Sequence, residues 1–466
     1  MFIPTKKCKF VTLFQGIIVE TMKRKLYNSL IEWKKSVRRK PLILEGARQV
    51  GKTWLLMEFG HNEYENVIYI NCADDNFAKN LFIYDLKPSR IVRDIEAHTG
   101  KHIVAGQTLI IFDEIQEAPH GITALKYFCE NAPEQHVAVA GSLLGVVHHP
   151  GESYPVGKVD VLRLLPMSFE EFLWAKGNEK LAEILAECDW ASIHALSGML
   201  EDLLRQYYYV GGMPEVVLNW TTSENIQEVR RIQHQILDSY TNDVSKHAGN
   251  EAERIRMVWN SIPAQLAKEN KKFIYGAVKK GGRAKEFEIA IQWLVDAGLV
   301  YKLHRCKKPD MPLKFYEVFD AFKLYLLDVG LLGALSGASP AQMLVSNDVF
   351  KEFKGSFTEN YVMQEIKSLS SHSIVYYFAK EKSTQEVDFL IQTDHRIIPV
   401  EVKAEENVKS KSLRQFVTID HADKHLKGLR CSMLPYKDQG WMENIPLFCV
   451  HAYLNREYQN GTSGPA

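Results

Sequence analysis

The sequence predicts an α/β protein in three successive parts: a parallel sheet with its helices, a helical module, and a mixed α/β domain. Three observations predict it. Apolar strand-like runs, "PLILE", "NVIYINC", "TLIIFD" and "HVAVAGS", recur before residue 143. Between 251 and 305 the pattern turns helical, as in "EFEIAIQWLVDAGLV" with its late glycine. Strand character then returns in "SIVYYFA", "EVDFLI" and "IIPVEVKA", where charged residues sit among β-branched neighbours.

At 466 residues the chain is too long for one compact core. The expected division is an extension at 1–21 and domains at 22–205, 206–335 and 336–466. The extension is basic and then apolar, but no small-residue cleavage site follows it, and Met22 opens the more regular "MKRKLYNSLIEWKKS". Lys plus Arg number 57, as do Asp plus Glu, so a nucleic-acid surface has to be a local patch. No apolar run approaches the roughly 20 residues that span a bilayer, so no membrane partner is expected. The seven cysteines are scattered without a C-x-x-C, which suits a reducing cytoplasm.

In "KPLILEGARQVGKTWLLMEF" a strand, a glycine loop and a helix follow one another, and Gly46-x-x-x-x-Gly51-Lys52-Thr53 has the phosphate-loop spacing. The backbone of Gly46, Ala47, Arg48, Gln49, Val50, Gly51, Lys52 and Thr53 is expected to cradle nucleotide phosphates at the positive end of the new helix. Lys52 is expected on the β- and γ-phosphates and Thr53 on magnesium. About sixty residues later "QTLIIFDEIQEAP" ends a buried strand on Asp113-Glu114. Asp113 is expected in the magnesium shell, and Glu114 to orient the attacking water. "HVAVAGS" ends on Ser142, a polar residue at the position of a γ-phosphate sensor in AAA-type ATPases. The first domain thus reads as a P-loop NTPase, AAA-like, with ATP and Mg2+ as cofactors.

"AERIRMVWNSIPAQLAKEN" and the stretch after it read as helix, helix, helix and β-wing, the order of a winged-helix domain. Lys279, Lys280, Arg283 and Lys285 cluster at its third helix, either as phosphate contacts on DNA or as a solvated charged face. In the last part, "DVFKEFKGSFTENYVMQEIKSL" reads as a helix entered through Gly355 and Ser356 and carrying Glu359. Asp388 and Glu401-x-Lys403 are expected to meet at one sheet end, where Glu401 and Lys403 share a face. Two carboxylates there suit one or two divalent ions, and the lysine suits a developing phosphate charge. The alternative is a plain ion pair at a sheet edge.

In order, "KPLILEGARQVGKT", "LIIFDEIQEAP", "AGSLLG", "LLPMSFEEF", "GGMPEVV", "FEIAIQWLVDAGLVYK", "FKLYLLDVGLL", "GSFTENYVMQEI", "EVDFLI" and "IIPVEVKA" resemble prokaryotic AAA-family ATPases that carry a C-terminal domain of unknown function with a restriction-endonuclease-like core. The resemblance runs from Met22 to about Lys411. It implies ATP binding and hydrolysis, a winged-helix module after the ATPase core, and nucleotide contact by Gly212 and Pro214 of a Gly-x-Pro element. Family members commonly carry Gly-Arg before "LLP"; here the pair is Gly157-Lys158, which lacks arginine's planar fork. Arg163 and Lys158 are the candidate fingers toward a neighbouring subunit.

These readings converge on an ATP-dependent switch that controls a winged helix and a nuclease-like domain acting on nucleic acid, with DNA as partner. The competing reading is an ATP-dependent adaptor whose inactive C-terminal domain recruits a protein partner or a second copy of the chain.

Overall fold

The computed structural model describes residues 13–14, 17–18, 22–142, 154–268, 271–344, 351–369, 373–381, 383–404 and 409–459. The expected extension lies outside these residues apart from two short antiparallel strands, β1 (Leu13–Phe14) and β2 (Ile17–Ile18).

Five parallel strands build the first sheet: β3 (Leu42–Gly46), β4 (Asn66–Asn71), β5 (Thr108–Asp113), β6 (His136–Ser142) and β7 (Asp160–Arg163). Their order is β4-β5-β6-β3-β7. Parallel strands covered on both faces read as continuous apolar runs, and every residue of β3 and β5 is buried. Alternate side chains enter two different cores. Leu42, Leu44, Leu109 and Ile111 pack with Leu30, Leu56 and Phe59, while Ile43, Ile110 and Phe112 pack with Ile91, Ile95 and Phe128. Each fully buried Leu or Ile contributes roughly 1.5–3 kcal/mol. Because the strands run the same way, their last residues collect on one edge: Asn71 is registered with Asp113, Gly46 with Ser142 and Glu45 with Arg163.

Helices Ser197–Val210, Pro214–Ser223 and Ile226–His247 follow. Asn225 caps the longest by accepting the Glu228 N–H. Next come helices Ala252–Leu266, Tyr275–Val278 and Ala284–Asp296, then the antiparallel pair β8 (Val300–Cys306) and β9 (Glu317–Leu326).

This hairpin is not a free-standing wing. β8 also pairs, parallel, with β10 (Ile374–Ala379). Beyond it lie β11 (Glu386–Gln392), β12 (Ile397–Val402), β13 (Gly428–Ser432), β14 (Lys437–Asp438) and β15 (Met442–Pro446). The eight-stranded order is β14-β15-β13-β12-β11-β10-β8-β9. One sheet therefore crosses the expected boundary after 335. A lone hairpin leaves the backbone groups on the outer side of β8 unpaired, and β10 satisfies them.

A second correction concerns helix Lys351–Leu369, in which Gly355 and Ser356 lie inside the helix instead of at its entrance. Ser356 Oγ donates to Leu266 O at 2.6 Å, so this serine ties the helix to the preceding module. No helix among the described residues is long and apolar enough to cross a membrane.

Candidate nucleotide site and C-terminal cleft

The phosphate loop leaves β3 at Gly46 and turns into helix Lys52–Glu63 through Gly51, whose φ of 92° is open to glycine and disfavoured for other residues. Lys52 is buried and folds back on its own loop, donating to Gly46 O at 3.1 Å and Ala47 O at 2.9 Å. Burial lowers its pKa to about 8, against the pull of Glu114 and Asp113. From the next strand end, Asp113 Oδ2 accepts from Thr53 Oγ1 at 2.7 Å and from the Tyr69 hydroxyl at 2.9 Å. Its other oxygen accepts the Glu114 N–H at 3.1 Å. Glu114 adopts φ 48°, which turns the chain out of β5, and its carboxylate takes the Gln116 amide. Ser142 ends β6 on the same edge; its side chain lies outside the described residues.

Three elements close around the loop. Arg24, only 6% exposed, donates to Val50 O at 3.0 Å and Leu165 O at 2.6 Å while pairing with Glu171 at 3.1 Å. Helix Ile226–His247 supplies Asp243 to Arg48, the Tyr240 hydroxyl to Arg48 O at 2.9 Å, and Ser239 to Gln49 at 3.4 Å. Pro214 comes against Gly51, where an added Cβ would lie 3.5 Å from its ring. Gly212 stands one layer behind. Its N–H donates to Asp328 Oδ2 at 2.6 Å, its carbonyl accepts the Met167 N–H at 2.7 Å, and a Cβ would strike Met167 O at 2.1 Å. Asp328 is fully buried, which raises its pKa to about 6. The two candidate fingers are engaged within the chain: Arg163 grips Glu45 at 2.7 Å and Lys158 pairs with Glu130 at 2.9 Å.

The C-terminal residues also converge. Between Tyr376↔Leu390 and Phe378↔Val387 the β10–β11 register slips by one residue, leaving Asp388 and Phe389 together opposite Tyr377. Such a bulge re-aims side chains. Phe389 enters the core near Tyr325, and Asp388 lines a cleft of about 1030 Å³ together with Glu359, Glu386, Glu401 and Lys403. Glu359 Oε1 meets Lys271 Nζ at 2.6 Å, and its Oε2 accepts from the Tyr325 hydroxyl at 3.1 Å. Lys323, fully buried, lies 3.9 Å from Glu359, pairs with Glu386, and sits over the Tyr377 ring at 4.9 Å. Asp388 Oδ2 accepts the Val402 N–H at 2.7 Å, and Lys403 pairs with Glu401 at 3.2 Å.

Burial works against each charge, but the lysines hold Glu359 below the usual carboxylate range, and the carboxylates hold Lys323 above the usual lysine value. For Asp388, burial and then the Glu359 charge push the pKa up to about 7. Among the described residues no group of three or more His, Cys, Asp or Glu is arranged to hold a metal. The expected second divalent ion therefore does not fit this arrangement, because Glu359, Glu386 and Glu401 each face a lysine.

Sequence reasoning missed Arg24, Tyr69, Lys271, Lys323, Tyr325 and Glu386. One signal was readable: Lys323 is the lone charge in "FKLYLL", and an unaccompanied lysine in a buried strand needs carboxylates. Lys271, inside "KENKK", looks like any solvated run. The cluster Lys279, Lys280, Arg283 and Lys285 is exposed at the start of helix Ala284–Asp296.

Comparison with known proteins matches residues 38–173 to an AAA domain, 201–342 to a domain of unknown function (DUF8612) and 354–449 to another (DUF4143). No curated protein matches the chain. Among solved structures, the Orc1 protein of Aeropyrum pernix in complex with DNA aligns at 13% identity over 67% of this chain and 90% of that one, with a TM-score of 0.28. The RuvB Holliday junction branch migration motor of Thermotoga maritima aligns at 14% over 59% and 87%, with a TM-score of 0.27. Cdc6p from Pyrobaculum aerophilum aligns at 11% over 67% and 91%, with a TM-score of 0.23. Scores this low support no argument about this chain, and the assignment rests on the family match and the loop geometry. Residues 38–173, which contain the phosphate loop, match an AAA domain.

Proposed function

We propose that the chain is an ATP-hydrolysing AAA-type switch whose nucleotide state moves the helical module against the C-terminal domain, and that the C-terminal domain engages nucleic acid. One observation carries the reading: the 2.7 Å hydrogen bond from Thr53 to Asp113 brings the hydroxyl and the carboxylate that Mg2+ requires to one point beside Lys52. Magnesium would supply charge neutralisation between the β- and γ-phosphates. Gly46 to Thr53 would cradle the phosphates, Lys52 would bridge them, Glu114 would orient the attacking water and Ser142 would sense the γ-phosphate. Pro214, with Gly212 behind it, would follow the nucleotide from the helical side. Helix Ile226–His247, in contact with Arg48 and Gln49, is the element that loop movement reaches first.

Exposed Lys279, Lys280, Arg283 and Lys285 suit a phosphate backbone, and Glu359, Asp388, Glu401 and Lys403 are the nuclease-like set. The second reading, an adaptor with an inactive C-terminal domain, is favoured by the lysines that face those carboxylates.

The test pairs ATP hydrolysis with DNA binding at several salt concentrations, for the wild type and Lys52→Ala. Hydrolysis lost in the variant, with ATP-tightened and salt-sensitive binding in the wild type, is the expected result. Equal hydrolysis by both proteins would refute the switch. Hydrolysis without DNA binding, with a stable protein partner, would select the adaptor.

A further inference from the structure

A pocket of about 160 Å³ opens beside the start of the phosphate loop, where the three parts of the chain meet. Gly46 and Ala47 form one wall, Arg163 at the end of β7 a second, and Gly298 and Tyr301 a third. Lys367 closes it from helix Lys351–Leu369. The turn at Gly298 stands close to the loop, since an added Cβ there would lie 3.8 Å from Ala47 N. Among the described residues that line the pocket there is no Lys52, Thr53 or Asp113, so it lies apart from the cradle expected for nucleotide phosphates. Pockets for drug-sized ligands run to roughly 300–1,000 Å³. This smaller volume suits a tetrahedral anion with a few waters and does not suit a nucleotide.

The cations on these walls are not equivalent. Arg163 is neutralised by Glu45, with Nε at 2.8 Å and a terminal nitrogen at 2.7 Å from one carboxylate oxygen. Lys302 turns its ammonium over the Phe322 ring, 4.4 Å from the centroid. Lys367 has neither kind of partner. It donates to the Ser373 carbonyl at 3.3 Å, and among the described residues no carboxylate pairs with it. Burial and then the charge of Arg163 lower its pKa to about 8. The buried lysines of the C-terminal cleft, by contrast, each meet a carboxylate. A half-buried ammonium beside a guanidinium is unfavourable until an anion joins them. Tyr301, on the facing wall, has a buried hydroxyl with no partner among the described residues, and such a group calls for a water or an ion.

We propose that this pocket is an anion site separate from the phosphate loop, and that it binds inorganic phosphate through Lys367 with Arg163 as the second cation. An ammonium and a guanidinium on different walls suit an oxyanion, whose several oxygens accept charge-assisted hydrogen bonds from both. Lys367 and Arg163 belong to the last and the first part of the chain, and the Gly298 turn belongs to the helical module. An anion seated between them therefore ties the three parts together. The source of the phosphate rests on the ATP-hydrolysing reading, under which it is released at the neighbouring loop, but the site itself does not.

The test titrates inorganic phosphate into the nucleotide-free full-length chain by calorimetry at constant ionic strength. Every protein carries Lys52→Met, which removes the ammonium that would hold phosphate at the loop, and Lys367→Met or Lys367→Arg is added to it. The expected result is one phosphate per chain in Lys52→Met, binding weaker by roughly tenfold or more with Lys367→Met, and recovery with Lys367→Arg. No binding in Lys52→Met overturns the proposal, as does equal binding with and without Lys367. If the methionine variant does not fold, the wild type supplies a second readout, the rate at which acetic anhydride acetylates Lys367, followed by peptide mass spectrometry. Phosphate is expected to slow that reaction several-fold. An unchanged rate, or slowing by ADP but not by phosphate, overturns the proposal. Neither measurement requires turnover, so failure of the ATP-hydrolysing reading leaves the site intact and is seen separately as absent phosphate release.

Discussion

The nucleotide site and the C-terminal cleft both combine carboxylates with a buried lysine, and they neutralise them in opposite ways. At the phosphate loop the partners are dipoles: two carbonyls for Lys52, two hydroxyls and an amide for Asp113. In the cleft the partners of Glu359 and Glu386 are full charges, Lys271 and Lys323. A dipole is displaced by an incoming ion with little loss, because the ion's charge replaces a weaker interaction. A buried ammonium is not, because its departure strands a carboxylate at a cost of about 3–5 kcal/mol. The first arrangement waits for a charged ligand, and the second resists one.

The largest test of this contrast is Lys52→Met. Loss of the ammonium proposed to bridge the phosphates is expected to lower ATP turnover by about 10²–10³-fold with the fold intact, as steady-state phosphate release and circular dichroism would show. A small change would mean that Lys52 stays on its carbonyls when nucleotide binds.

Asp328→Ala attacks the tie behind the loop. The variant leaves the buried Gly212 and Leu331 N–H groups without their acceptor and should lose roughly 3 kcal/mol in urea unfolding. A loss near zero would show that the Gly212 segment does not depend on this carboxylate.

Glu365→Gln addresses pH. Glu365 is fully buried, and burial raises its pKa to about 7, with the Phe169 N–H and Lys25 opposing and Glu170 and Glu171 adding to the rise. His451, 3.6 Å away, is held well below its ordinary value by burial and Lys25 and is a neutral neighbour. Because the folded pKa exceeds the unfolded one, the neutral acid's stabilisation is full below about pH 4 and is lost as pH rises through about 7. The amide removes that loss. The variant should come closest to the wild type at pH 4 and gain on it by on the order of 3 kcal/mol at pH 8. Parallel stability curves at the two pH values would refute the assignment.

Arg48→Ala should be the mildest. Its pair with Asp243 is partly solvated on the arginine side, and such pairs contribute about 0.2–1 kcal/mol. A loss of unfolding free energy larger than that in urea would make this contact a structural clamp between the loop and helix Ile226–His247.

Much of the fold was legible. The β3, β5 and β6 runs, the three strands β10 to β12, and the helix carrying Glu359 all lie where apolar pattern placed them, because burial on both faces or one dictates that pattern locally. The boundary after 335 was not legible, since the pairing of β8 with β10 joins residues some seventy positions apart by backbone groups every sequence possesses. Nor was the entrance of helix Lys351–Leu369, where a glycine and a serine imitate a start signal but lie inside the helix, with Ser356 tied to Leu266.

By itself the sequence determined the phosphate loop and its acidic partner, because backbone chirality, glycine and the order strand–loop–helix are local properties. It also offered Glu359, Asp388, Glu401 and Lys403 as one candidate set, and these residues line one cleft. Only the tertiary structure decided what neutralises them. Lys271 and Lys323 come from distant elements, and whether a buried carboxylate meets an ammonium, a hydroxyl or an amide depends on which elements fold against it.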